Sequence, residues 1–293
     1  MEKMKVTGFA FIRNAIKYDY PVAEAIRSVL PLCDDFVIAV GNSEDGTLDL
    51  IKSIDPTKIR ILETVWDDSL REGGRVLAVE TDKAFQAIGS DADWCFCIQA
   101  DEMVHEKDYD KIRAAMLKWK DDKNVDGLLF KWLHFYGSYD YVGNSLSWFD
   151  KEIRIIKNNK DIYAYRDSQG FRKGDNQKLR VKEVDACIYH YGWVKHPKEM
   201  QKKQAKFHSL FHDDKWVEEA MGKTEEFDYL KNVDALELFK GTHPAVMQKR
   251  ISEKNWKFNY DITYNKLSFK KRLKKFAKNK LGLDFSYKNY KIV

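Results

Sequence analysis

The sequence predicts an α/β protein built on a mostly parallel, doubly wound sheet flanked by helices. Three observations carry this. Short apolar runs recur at 5–12, 35–40, 58–63 and 94–98, and segments of helical spacing lie between them. The connections carry turn residues such as Gly41-Asn42-Ser43-Glu44-Asp45-Gly46 and Gly73-Gly74. The run Trp94-Cys95-Phe96-Cys97-Ile98 is followed within three residues by adjacent carboxylates, Asp101 and Glu102. Ligands of open α/β sheets bind just outside such strand ends.

The elements follow in order. The first strand ends at Arg13-Asn14. Helix 21–30 has Pro21 in its first turn and Val22, Ala25, Ile26 and Val29 on one face. A second strand, a helix over 47–54, a third strand and a helix over 76–88 lead to the strand at 94–98. Helix 109–120 then carries Ile112, Ala115, Met116 and Trp119 on one side. Strands at 127–135 and 152–157 bracket an aromatic-rich loop at 136–149. A short strand at 187–191 reaches His190-Tyr191-Gly192-Trp193. From Pro197 onward the chain reads as helical and charged. This divides it into a main domain over 1–245 and a helical, basic extension over 246–293.

With 293 residues, 44% of them hydrophobic, the chain can bury a sizeable core. It has no apolar run long enough to span a membrane. Three of its first five residues are charged and they lack the features of a secretory leader, so a cytoplasmic protein is expected. The four cysteines form no C-x-x-C pair, which argues against structural zinc and for buried free thiols. The net charge is +5, yet 266–280 alone holds eight Lys or Arg and no acid. The rest is nearly balanced, and no nucleic-acid partner is expected.

Two adjacent acids at a buried strand end need compensating charge. A hard divalent cation, Mg²⁺ or Mn²⁺, holding a diphosphate is one solution. A helix N-terminus, which favours acids, is the other.

Gly8 to Asn14, Ser43-Glu44-Asp45-Gly46-Thr47 and Trp94 to Glu102 together resemble the opening strand, the S-x-D-x-T segment and the D-x-D-E motif of the family 2 glycosyltransferases. With His190-Tyr191-Gly192-Trp193, the chain is similar to a bacterial branch of that family. The resemblance covers roughly the first 105 residues. Two departures stand out. Gln99 replaces the first acid of D-x-D, and Val40-Gly41-Asn42 stands where an acid usually holds the nucleotide base.

The resemblance implies a GT-A fold and transfer of a sugar, with inversion, from a UDP- or GDP-sugar to a hydroxyl of a glycan or lipid-linked acceptor. It implies a divalent metal held by Asp101, then Glu102, with His190 as third ligand or diphosphate contact. Asp167 is the expected catalytic base and Glu152 its competitor. Arg13, Asn42, Asp45, Arg75, Gln99, Asp101 and Trp193 are expected around the nucleotide-sugar, with Trp148 and Trp193 offering faces for sugar stacking. Asp45 has a second reading with Thr47, as the cap of the following helix. Sugar nucleotidyltransferases have a related fold, but Phe11-Ile12-Arg13-Asn14-Ala15 lacks their Gly-rich phosphate loop. A non-catalytic nucleotide- or carbohydrate-binding protein is the reading from another class.

Phe269, Leu273, Phe276, Ala277 and Leu281 recur at helical spacing among lysines. Such a basic amphipathic helix suits the anionic inner face of a membrane. The alternative is packing against the main domain with the basic face in water.

Overall fold

A computed structural model of the chain describes residues 4–222, 224–281, 283 and 287–293. Expectations for residues 1–3, and for 282 and 284–286 of the extension, lie outside the described residues.

The first half alternates as expected: β1 (Val6–Ile12), α1 (Val22–Val29), β2 (Asp35–Gly41), α2 (Thr47–Lys52), β3 (Ile59–Thr64), α3 (Arg75–Gln86) and β4 (Trp94–Cys97). Next come β5 (Glu102–Val104), α4 (Tyr109–Trp119), β6 (Gly127–Tyr136), β7 (Tyr141–Gly143) and β8 (Lys151–Lys157). Then follow β9 (Ile162–Tyr165), β10 (Gly170–Lys173), the long β11 (Gln177–Trp193), α5 (Pro197–His208) and α6 (Asp214–Met221). The chain closes with β12 (Leu236–Leu238), α7 (Gln248–Ser252), α8 (Phe269–Leu281) and β13 (Tyr290–Ile292).

The main sheet runs β3-β2-β1-β4-β8-β6-β11-β10-β9. Its first four strands are parallel. β8 enters antiparallel between β4 and β6, and β6 is again parallel to β11. Alternate residues of the parallel strands face two separate cores, which is why each strand reads as an unbroken apolar run. Val6, Ala10, Phe36, Ile38, Trp94 and Phe96 pack with α1 and α4. Phe9, Val37, Ala39, Cys95 and Cys97 pack with Ala78, Ala84 and Phe85 of α3. Burial pushes the Cys95 and Cys97 thiols up to about 12, so these groups serve as packing.

Strand order reverses between β1 and β4, opening a crevice at their carboxyl ends. β11 spans the molecule and ends at the same place, with His190 opposite Glu102 of β5 and His134 of β6. The extension is not helical throughout, because β13 returns to pair with β11. Arg250 binds Asp19 and Glu24, tying α7 to the first βα unit.

Candidate active site

The crevice is a cleft of about 390 Å³. Arg13, Gln99 and Asp101 enter from the ends of β1 and β4. Trp132 and His134 of β6, Trp148 and Phe149 from the loop before β8, and His190 and Trp193 of β11 supply an aromatic wall. Asp167 comes from the β9–β10 turn, and Lys203, Gln204 and Lys206 come from α5.

The adjacent acids have opposite fates. Glu102 is fully buried and bound by both arms of Arg154, with Nε donating to Oε2 at 2.7 Å and Nη2 to Oε1 at 2.6 Å. The Arg154 guanidinium also lies 4.8 Å from the centroid of Trp132, which stacks parallel to the His190 ring at 5.4 Å and meets His134 edge-on at 4.9 Å. Asp101 receives the Lys203 ammonium on Oδ2 at 2.9 Å, and His190 Nε2 stands 3.7 Å from Oδ1. Burial alone would raise the Asp101 pKa, but Lys203 and then His190 outweigh it and hold the carboxyl well below its usual range. Burial opposes the charge on Lys203 as well, and Asp101 reverses that, so Lys203 stays an ammonium.

His134 Nε2 faces the Phe149 carbonyl at 3.0 Å and must donate to it. Burial, then His190, pushes His134 down to about 3, so the ring is neutral and its Nδ1 accepts from His190 Nδ1 at 3.1 Å. Burial also lowers the His190 pKa, Asp101 opposes that shift, and the His190 Nε2 faces the Asp101 carboxylate.

These residues do not fit the expected divalent metal. Glu102 has both oxygens committed to Arg154, and one oxygen of Asp101 is committed to Lys203. What remains is one carboxylate oxygen and one imidazole nitrogen, beside a fixed ammonium. Like unit charges about 4 Å apart repel by about 4 kcal/mol even at an effective dielectric of 20. Among the described residues no group of three or more His, Cys, Asp or Glu is placed to hold a metal ion. In this arrangement of Asp101, Glu102 and His190, protein cations meet the charge that the metal was expected to meet.

Asp167 lies in a turn under unusual control. Its neighbours Arg166 and Ser168 both have left-handed backbones, at φ 57° and 65°. Gln99 Nε2 donates to the Ser168 carbonyl at 2.9 Å, and the Thr81 and Ser168 hydroxyls meet at 2.7 Å. A Cβ on Gly74 would come within 2.9 Å of the Asp167 Cβ, so only glycine admits this approach. Burial raises the Asp167 pKa. Gln99 therefore acts on the loop that carries the acid.

Arg13, Gln99, Asp101, Asp167, His190, Trp148 and Trp193 converge on the cleft. Other expected residues lie outside its lining. Glu152 is buried behind it, accepts from the Ile153 amide at 3.1 Å, and is pushed up to about 7 by burial. Asp45 Oδ1 accepts from the Thr47 hydroxyl at 2.5 Å and amide at 3.1 Å in an Asx turn just before α2, whose N-cap is Gly46 and not Asp45, while Oδ2 accepts from the Lys17 amide. Asn42 accepts from the Trp66 amide at 3.3 Å, and Arg75 is an exposed first residue of α3.

Lys203 and Lys206 were not apparent from sequence. The one signal was a Met200, Lys203, Gln204, Phe207 stripe, which puts a lysine on the inward face of a helix.

No protein-family model matches the chain, and no curated protein matches it. Among solved structures it is similar to S. aureus TarS 1-349, with 12% identity over 69% of this chain and 64% of that one, at TM-score 0.36. The chain thus spans just under two thirds of that structure's length. It is also similar to glucosyl-3-phosphoglycerate synthase from Mycobacterium tuberculosis in complex with Mn²⁺, UDP and phosphoglyceric acid, at 14% identity, 45% and 43% coverage and TM-score 0.29. A third likeness is 4-diphosphocytidyl-2C-methyl-D-erythritol synthase from Anaerococcus prevotii, at 11% identity, 64% and 89% coverage and TM-score 0.38. The first two are GT-A glycosyltransferases, the class that the sequence resembles. At these TM-scores nothing further is carried from them to this chain.

Replacing Arg154 by Met strands the Glu102 carboxylate and is expected to cost about 3–5 kcal/mol in urea unfolding, whereas Arg154→Met with Glu102→Leu recovers most of it. An unchanged unfolding midpoint in the single variant would contradict the assigned role of the pair.

Proposed function

We propose that this chain transfers a sugar from a nucleotide-sugar donor to an acceptor hydroxyl. The observation that carries the reading is the two-sided cleft at the strand-order reversal: cationic along Arg13, Lys203 and Lys206, aromatic along Trp132, Trp148, Phe149 and Trp193. A nucleotide-sugar has that same division, with an anionic diphosphate between groups that offer flat faces. The volume lies in the range of small-molecule sites.

In the proposed reaction Asp167 is the general base. Its carboxylate takes the acceptor hydroxyl proton as the oxygen attacks the anomeric carbon. The bond to the diphosphate breaks on the opposite face, and configuration inverts. A carboxyl whose pKa is raised by burial is a better base near neutral pH than an exposed one. Its turn is fixed by Gln99 and Thr81, which holds the base in one position. The acceptor class is a glycan or lipid-linked saccharide. Asp167→Asn is expected to lower single-turnover sugar transfer at least 100-fold while leaving donor affinity within about twofold. Full transfer by that variant would remove Asp167 as base.

The acceptor class is supported by how α8 is held. Lys271 reaches Ser147 and Asp234, Lys275 donates to the Asn144 carbonyl, and Lys278 pairs with Asp150. The lysines thus fasten the helix to the loop that forms the cleft rim. Phe269, Leu273, Phe276 and Leu281 are left 56–82% exposed, beside Lys270 and Lys274, which have no partner among the described residues. No helix among the described residues is long and apolar enough to cross a membrane. An apolar stripe flanked by lysines complements an anionic bilayer surface and would bring the cleft to a lipid-linked acceptor. Full-length protein is expected to co-sediment with phosphatidylglycerol vesicles at low salt, and Phe269→Ser/Leu273→Ser to reduce this about tenfold. Wild-type protein remaining in the supernatant at low salt would contradict membrane docking.

A further inference from the structure

We infer that Lys203 and Lys206 of α5 take the place of a divalent metal at the donor diphosphate. The inference rests on the nucleotide-sugar reading above and adds to it the means by which the leaving group is bound.

Lys203 arrives at the position where a metal was expected, on the carboxylate of Asp101. Its ammonium has three donors. One goes to Asp101 Oδ2 at 2.9 Å and one to the Gly192 carbonyl at 2.8 Å. No third hydrogen-bond acceptor stands among the described residues; the Tyr20 ring lies 4.9 Å from the ammonium, and both Lys203 and Tyr20 line the cleft. Gly192 is part of the device. A Cβ there would come within 2.5 Å of His190 Nε2 and 2.8 Å of Asp101 Oδ2, so a side chain would push into the pair.

Lys206 lies three residues further on, on the same face of α5. It is half-buried, lines the cleft, and has no hydrogen-bonded or ion-paired partner among the described residues. Burial lowers its pKa, the mark of a cation held without full compensation. Arg13 lines the same cleft with its Nη1 on Asp68 and its buried Nε without a partner. The site thus holds basic donors that await an acceptor, the groups a diphosphate requires.

The chemistry balances without a metal. Breaking the anomeric C–O bond leaves its electron pair on the terminal phosphate oxygen. The two ammonium groups meet that charge in a site already arranged for it. Asp101 does not touch the donor in this scheme. It is a positioning residue that keeps Lys203 protonated and aimed.

The test is calorimetric titration of the full chain with UDP, GDP, CDP and ADP, in EDTA and again in Mn²⁺. One nucleotide is expected to bind in EDTA with an affinity within about threefold of that in Mn²⁺. Lys206→Ala is expected to weaken it about tenfold and to flatten its salt dependence, with Lys206→Arg restoring most of the affinity. Because Lys203→Ala alone strands a buried carboxylate, it is made together with Asp101→Asn, and this double variant is expected to lose at least tenfold. Binding that requires Mn²⁺, or wild-type affinity in both the Lys206→Ala and the double variant, would overturn the inference and leave the nucleotide-sugar reading standing. No binding of any of the four nucleotides in either condition would overturn both.

Discussion

Asp101 and Glu102 place two carboxylates side by side at a strand end from which water is largely excluded. An unpaired charge there would cost several kcal/mol of desolvation. Each is held by a cation that arrives much later in the chain, Arg154 from β8 and Lys203 from α5. The parallel half of the sheet is therefore electrostatically incomplete until the second half has closed on it. Removing either cation leaves a buried charge, which is far more damaging than never having built the pair.

The same constraint organises the cleft. Arg154, by gripping Glu102, sets the plane on which Trp132 lies, and Trp132 in turn carries the His190 ring. His190 is oriented by its contact with His134 and faces Asp101. On the other side Lys203 is fixed by Asp101 and by the Gly192 carbonyl, so α5 comes close enough to bring Lys206 into the cleft. The aromatic wall and the cationic wall are thus two ends of one network, and the carboxylate pair lies between them. Gln99, standing where an acid was expected, uses its amide to hold the Asp167 turn, which an acid could not do because it has no N–H to give a carbonyl.

Much of this was legible in the residues. The runs ending at Ile12 and Cys97 announced buried parallel strands, because both faces of the sheet are covered. Arg13, Asp101, Asp167 and His190 were legible because each sits at the end of an apolar run or in a polar turn. The short strands β5, β7, β9, β10, β12 and β13 were not, since three or four residues carry too little periodicity. Glu152 and Glu102 look alike in sequence, as acids beside apolar residues, and only burial behind the cleft and the approach of Arg154 separate their fates from that of Asp101. Lys203 was hidden by context. It is one of many lysines on a charged helix, and its partner lies 102 positions earlier in the chain.

Whether Lys203 or a metal holds Asp101 when donor binds decides how the leaving diphosphate is met. A crystal structure of the chain grown with Mn²⁺ and a nucleoside diphosphate, with anomalous scattering measured at the manganese edge, tests this directly. Lys203 is expected still on Asp101 Oδ2, with phosphate oxygens on Lys203 and Lys206 and no anomalous peak at the pair. A manganese peak between Asp101 and His190, with Lys203 displaced, would contradict it.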